Sequence, residues 1–204
     1  MSSSVLEELK SSKSVPPRYG KMAGLLLFVG AAQFVVGLIL AQARHPGYNV
    51  SENFISDLGI GPAAVIFNLS VFVLGVMGVL SAYFVQRSIR KPLVAAFLGL
   101  TGLGAIGVGL FPEAGVFGGL AHTVSSLVAF LFAALWAIAS YTLRRPPLTY
   151  FSVVLGIFSL AALTLFATRN YLGLGQGGME LMIVYPVMIW AIAFGGYLMN
   201  HSEE

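Results

Sequence analysis

Ionisable side chains occur in only a few places between the two ends of this chain, and they limit the chemistry that it could perform. The acids there are Glu52, Asp57, Glu113 and Glu180. His122 is followed by Ser125 and Ser126, which share a helix face with it because residues three and four apart are helical neighbours. An imidazole with an unperturbed pKa of about 6.5 can exchange a proton near neutrality. We therefore assign His122 as the candidate acid–base group, and Asp57 and Glu180 as carboxylates that could orient it.

Further polar residues near these positions are candidates for ligand binding. They are Glu52, Ser56, Glu113, Ser126 and Arg169. Arg169 could hold an anionic headgroup, because a guanidinium group binds phosphate through parallel N–H bonds. The glycine-rich residues 173–178 could turn backbone amides toward an anion or a lipid headgroup. We predict that five groups converge on one site: Glu52, Asp57, His122, Arg169 and Glu180.

Each of these groups also has a purely structural explanation that the sequence leaves open. Ser56 or Asp57 could cap the following helix, and His122 could form a hydrogen bond between helices. Glu113 could be a solvated loop acid, and residues 173–178 could form a flexible loop. Glu180 could simply favour the dipole of the helix that it begins. The sequence therefore does not decide whether the protein is an enzyme.

Composition excludes several kinds of site. The chain has no cysteine, which rules out disulfides and thiolate metal sites. His122 is the one histidine within an apolar stretch. This excludes a zinc site with three histidine ligands and argues against a haem site with two. A metal site formed by His122 together with carboxylates stays open. We assign no metal ligands, and the pattern names no cofactor. No patch combines basic and aromatic residues as single-strand binding requires, so we expect no nucleic-acid partner.

Six long apolar stretches must position the polar residues. The chain is 57% hydrophobic and 9% charged, whereas soluble domains have about 25% charged residues. Each stretch is long enough to cross a hydrocarbon core of about 30 Å at 1.5 Å per residue. The predicted fold is all-α, a polytopic membrane protein with six transmembrane helices between an N-terminal segment (1–21) and a tail (201–204). The predicted spans are residues 22–43, 62–86, 92–111, 120–143, 148–168 and 179–199.

Glycine recurs along the third stretch, at positions 99, 102, 104, 107 and 109. Small residues allow the backbones of membrane helices to approach closely. We therefore predict that this helix packs tightly against its neighbours, with a hinge as the alternative.

The basic residues predict how the chain is oriented. Nine of the 11 lysines and arginines flank the stretches on one side, and only Arg44 and Arg169 lie on the other. Because basic residues favour cytoplasmic loops, both termini are predicted inside the cell, with the protein in the cell membrane. The four acids named above, His45 and His122 would then share the extracytoplasmic side.

Several short motifs resemble one family of membrane proteins. They are Pro46-Gly47-Tyr48, Ile55-Ser56-Asp57-Leu58-Gly59, Pro62, Phe67-Asn68, Gly109-Leu110-Phe111-Pro112-Glu113 and His122. Over roughly residues 22–200 the chain resembles a six-span prokaryotic family, domain-of-unknown-function family 998, which looks related to the FRAG/DRAM/SFK group. The resemblance implies six helices and a polar site on the outer face, but no established reaction. Because some eukaryotic relatives act on membrane lipids, it favours a lipid-related role.

Two functions fit these observations. The leading one is a membrane protein whose extracytoplasmic polar pocket binds a lipid headgroup or modifies a lipid, which makes membrane lipid its partner. The alternative is a non-catalytic subunit that packs against a larger membrane complex, or against another copy of the chain. A transporter is disfavoured, because few polar groups fall within the apolar stretches.

The predicted orientation can be tested with reporter fusions. Fusions at residues 88, 145 and 204 should report the cytoplasm, and fusions at residues 50, 115 and 175 the exterior, because basic loops are retained inside. One inverted loop would overturn the six-span arrangement with both termini inside.

Overall fold

Six long helices make up most of the described chain. The computed structural model describes residues 18–114, 119–143 and 145–200, and no strand occurs within those ranges. Short 3-10 turns at Ser56–Gly59 and Gly61–Ala63 precede the second helix, and Ser140–Leu143 extends the fourth. The helices are α1 (Arg18–Arg44), α2 (Ala64–Ile89), α3 (Pro92–Leu110), α4 (Leu120–Ala139), α5 (Leu148–Ala167) and α6 (Gly175–Asn200).

All six helices are long and apolar enough to cross a membrane, which confirms the predicted six-span, all-α membrane fold. Two helices begin earlier than their predicted spans: α1 begins at Arg18 rather than at residue 22, and α6 begins at Gly175 rather than at residue 179. Most of the N-terminal segment and the whole predicted tail lie outside the described residues. The domain limits there and the sidedness of the protein remain predictions.

Each helix packs against the next one in the sequence, and α1 packs against α6. Five of the helices, α1 to α4 and α6, line a central apolar cavity, which we call the chamber. Among the described residues α5 contributes nothing to the chamber wall and packs instead over α4 and α6.

Glycines bring the helices around the chamber into close contact. A Cβ atom on Gly102 of α3 would lie 2.7 Å from the carbonyl oxygen of Gly75 in α2. On the other side of α3, a Cβ atom on Gly104 would lie 2.8 Å from the carbonyl oxygen of Ser125 in α4. Since no side chain fits at such distances, the predicted tight packing of the third helix is confirmed at these two positions. Gly99 makes only ordinary contact there, at 3.6 Å from Ala82.

The connections between helices alternate between two ends of the bundle. We call one the acidic end (residues 45–63, 111–114, 119 and 168–174), because every acid in the described residues lies there or in the adjoining start of α6. The opposite end, the basic end, includes residues 90–91, 143 and 145–147 and no described acid. The acidic end therefore contains all the carboxyl groups from which a site could be built.

Candidate functional site

The connection between α1 and α2 folds over the start of α6. The backbone amides of Gln176 and Gly178 donate hydrogen bonds to the carbonyl oxygens of Ser51 (3.3 Å) and Val50 (3.0 Å). A Cβ atom on Gly177 would lie 2.9 Å from the Val50 carbonyl, so glycine is required for this approach. The first amides of a helix have no partner within the helix, and here the connection supplies two. The glycine-rich segment is thus a docking site for the connection rather than a loop whose amides are free to bind an anion.

Glu180 fixes the next part of the same connection. It lies in the second turn of α6, and only 4% of its surface is exposed. Its Oε2 accepts a hydrogen bond of 2.7 Å from the backbone N–H of Ile55, and the backbone N–H of the buried Ser56 also faces this carboxyl group. Glu180 therefore lies too far along α6 for the first-turn helix-dipole explanation, and its position is explained by its bonds to the α1–α2 connection.

Asp57 and Glu113 meet beside Glu180. Asp57 Oδ2 accepts a hydrogen bond of 2.9 Å from the backbone N–H of Phe54, which closes the turn before α2. No side chain caps α2 itself, so the capping explanation of Ser56 and Asp57 is wrong. The Asp57 carboxyl group is within hydrogen-bonding reach of Glu113, which follows the end of α3. Residues distant in sequence thus share one acidic cluster.

His122 joins α4 to the end of α3 and has 5% of its surface exposed. Its Nδ1 lies 2.9 Å from the carbonyl oxygen of Phe111. Because a carbonyl can only accept, Nδ1 carries the proton in this bond, and Nε2 is an acceptor whenever the ring is neutral. The imidazole is also near enough to Glu113 to act on its charge. His122 therefore makes the predicted interhelical bond while keeping one basic nitrogen.

Burial and charge alter the acid–base properties of the connections. Burial raises the pKa of Glu113, His122 opposes that shift, and the neighbouring Asp57 adds to it. Burial likewise raises the pKa of Tyr48 to about 12, so its hydroxyl remains protonated at neutral pH. The acidic end is thus a partly desolvated environment in which Glu113 holds its proton more tightly than a free carboxyl group.

The remaining candidates lie around the cluster. Ser126 lines the chamber directly below it. Glu52 and Arg169 are exposed on the surface of the same end, and neither is among the groups that act on Glu113. Glu52 belongs to a solvent-facing turn, in which its N–H donates to the Asn49 carbonyl at 2.9 Å. The described residues contain no group of three or more acidic and histidine side chains arranged to hold a metal ion.

The chamber opens beneath the cluster. Its upper part has a volume of about 70 Å³ and is lined by Ile55 and Glu180 at the acidic end and below them by side chains that are apolar except for Thr101 and Ser126. An adjoining cavity of about 40 Å³ shares Ala105 with it and reaches Trp136. Measured along α6 from Glu180 to Ala191, the chamber is roughly 16 Å deep at 1.5 Å per residue.

Sequence patterns could not reveal two parts of this arrangement. The amide of Ile55 has no signature of its own, and the chamber wall consists of ordinary apolar residues from five helices. The short motifs of the sequence did carry one signal of this arrangement. Asn68 donates from Nδ2 to the carbonyl oxygen of Gly59 at 2.9 Å, so the two motifs that contain these residues contact each other.

The raised pKa of Glu113 predicts a pH-dependent stability. The folded state holds the Glu113 proton more tightly than the unfolded chain, in which the pKa is near the ordinary value of 4.5. The contribution of protonated Glu113 to stability is therefore full below pH 4.5, and it should be lost as the pH rises from 4.5 through the raised pKa. Glu113→Gln should flatten this loss, measured as thermal unfolding in detergent at several pH values.

Glu52→Gln is the matched control, because this exposed side chain at the same end is not among the groups that act on Glu113. It should leave the pH profile of the wild-type protein unchanged. A Glu113→Gln profile that runs parallel to the wild type would contradict the prediction.

Comparison with known proteins places the chain in a family. Residues 28–197, which include α2 to α5, most of α1 and almost all of α6, match the family model described as protein of unknown function (DUF998). No curated protein matches the chain, and no solved structure does. With most of its length matched, this six-span membrane protein belongs to the DUF998 family.

Proposed function

We propose that the protein binds a membrane amphiphile, with the tail in the chamber and the polar head at the acidic cluster. The observation that carries this proposal is the position of Glu180, which lines the apolar chamber and lies beside Asp57 and Glu113. A pocket that is apolar in depth and polar at its mouth suits a molecule divided in the same way.

The groups at the mouth favour a head that donates hydrogen bonds. Asp57 and Glu180 each accept a backbone N–H through one carboxyl oxygen. An ionised carboxyl group has about four lone-pair sites, so sites for a ligand remain even with the Ser56 N–H at Glu180 and with Glu113 at Asp57. When the His122 ring is neutral, its Nε2 is a further acceptor. No lysine or arginine acts on Glu113 here. An amine or hydroxyl head therefore fits this site better than the anionic headgroup predicted through Arg169.

The depth and apolar wall of the chamber favour a hydrocarbon tail. Its depth of roughly 16 Å is about half of a hydrocarbon core of ~30 Å, the depth of one leaflet. Because a cavity of about 150 Å³ holds a molecule the size of benzene, a tail of that length must move the surrounding helices apart as it enters. Burial of such a chain against apolar side chains supplies affinity, while the polar head fixes its orientation.

The alternative function, a subunit of a larger complex, calls for a helix face that a partner can cover. Glycines suited to such a face are already used within the chain. In α3, Gly102 packs on α2 and Gly104 on α4, and Gly24 of α1 packs on Gly195 of α6. This internal use of the glycine faces favours a protein that functions without a tightly packed partner.

Filling the chamber tests the proposal. Ala105 is 5% exposed and lines both parts of the chamber, so Ala105→Leu should reduce the amount of co-purifying lipid several-fold. The helices should persist, because the added carbons occupy empty space. The measurement is quantitative mass spectrometry of lipids extracted from protein purified in mild detergent, together with circular dichroism.

Ala161→Leu is the matched control, since it adds the same atoms on the exposed face of α5. It should retain the lipid complement of the wild type. If the two variants retain the same lipids, the chamber is not a ligand site. If a stoichiometric protein co-purifies and lipid does not, the subunit alternative is favoured.

Substitutions of His122 separate binding from positioning. His122→Asn can still donate an N–H to the Phe111 carbonyl, but it lacks a basic nitrogen at the place of Nε2. We expect this variant to unfold at nearly the wild-type temperature while it loses bound lipid or any activity on lipid. His122→Ala should also lose the link between α3 and α4, worth about 1 kcal/mol. Wild-type lipid retention by His122→Asn would instead assign His122 a structural role only.

A further inference from the structure

A second cavity lies at the basic end, on the opposite side of the bundle from the chamber. It has a volume of about 270 Å³ and lies between the turn that joins α2 to α3 and the turn that joins α4 to α5. Lys91 contributes from the first turn and Arg145 from the second, and the end of α6 closes the third side with Tyr197 and Leu198. Three separate parts of the chain thus build this cavity, which we call the basic cavity.

Among the described residues, the charges around the basic cavity have one sign. Lys91 and Arg145 line it, and Arg87 and Arg90 lie close by in the chain. All acids in the described residues are at the other end, so none of them can neutralise these cations. An anion would therefore find attraction here without competition from a described carboxyl group.

Backbone geometry adds to this attraction. The helix α3 begins at Pro92 directly after Lys91, and no side chain caps its start. Lys91, which directly precedes this start, lines the cavity. The positive end of the α3 dipole therefore lies beside the cavity and favours an anion there.

The walls of the cavity indicate what else the ligand carries. Beside the two cations and the hydroxyl-bearing Ser88, the lining includes the apolar side chains of Ile89, Leu143 and Leu198. A free ion would use only the cations, whereas a phospholipid would place its phosphate on them and its glycerol and first methylenes on the apolar wall. Basic pockets between membrane helices bind anionic headgroups in this way.

We propose that the basic cavity binds an anionic phosphate group, and that its source is a phospholipid headgroup. This proposal does not depend on the ligand of the chamber, because no residue lines both cavities. The preference of basic residues for cytoplasmic loops explains why Lys91 and Arg145 share one side of the membrane. It does not explain why a cavity lies between them, and the proposal adds a reason for that.

The test uses the purified full chain in a neutral detergent. Phosphatidylglycerol, phosphatidylcholine and inorganic phosphate are titrated separately, with binding followed by native mass spectrometry and by thermal unfolding. Phosphatidylglycerol should bind and raise the unfolding temperature more than phosphatidylcholine. Lys91→Gln and Arg145→Gln should each weaken its binding about fivefold, the effect expected for one cation near a lipid surface. Stabilisation by inorganic phosphate alone would support the site but assign it to free phosphate.

Arg90→Gln is the matched control, because it removes one charge next to Lys91 from an exposed residue that does not line the cavity. It should change the affinity less than about twofold, whereas general attraction to anionic lipid would weaken all three variants equally. Equal weakening, or equal binding of the two lipids by the wild type, would overturn the proposal. Arg145→Lys, which keeps the charge, should retain most of the binding and so exclude misfolding as the cause.

Discussion

The hydrogen bond from the Ile55 backbone to the buried Glu180 carboxyl group is the interaction on which the acidic end depends. It joins the connection before α2 to the second turn of α6, and it holds Ile55 over the chamber. A buried carboxyl group is costly unless donors satisfy it, and a buried turn is costly unless its amides find acceptors. Each group removes the cost of the other. Loss of one partner would therefore expose the chamber as well as break a bond.

Close helix packing provides the second constraint. In a bilayer, apolar side chains gain little by leaving lipid for another helix, so association depends on backbone proximity and hydrogen bonds. The glycines of α3 supply the proximity, and Ser81 of α2 adds a hydrogen bond of 3.0 Å to the Ala23 carbonyl of α1. Between these tight contacts the larger side chains do not fill the bundle axis completely. The chamber is the space that remains between them.

The sequence predicts the fold better than it predicts the site, for physical reasons. Apolar length and basic loops are local properties, so the six helices follow from them directly. Even so, the predicted start of α6 differs from the observed one, because Gly175 and Gly177 look like loop residues in the sequence. In the structure this segment is helical, and the α1–α2 connection supplies acceptors for its first amides. Grouping the acids at one end requires only topology. Which of them meet depends on side-chain direction, and this separates the buried Glu180 from the exposed Glu52 and Arg169.

The polarity of the chamber bears on what kind of protein this is. Among the described residues Glu180 is the one ionisable group that lines the chamber, and from there to Trp136 the wall is almost wholly apolar. A path for ions or polar solutes needs successive polar groups across the bilayer, since an isolated charge at that depth is costly. The indole N–H of Trp136 has no partner among the described residues, and one unpaired donor does not form such a path. A chamber that is polar at one end and apolar in its depth matches the division between head and tail in the amphiphile proposed above.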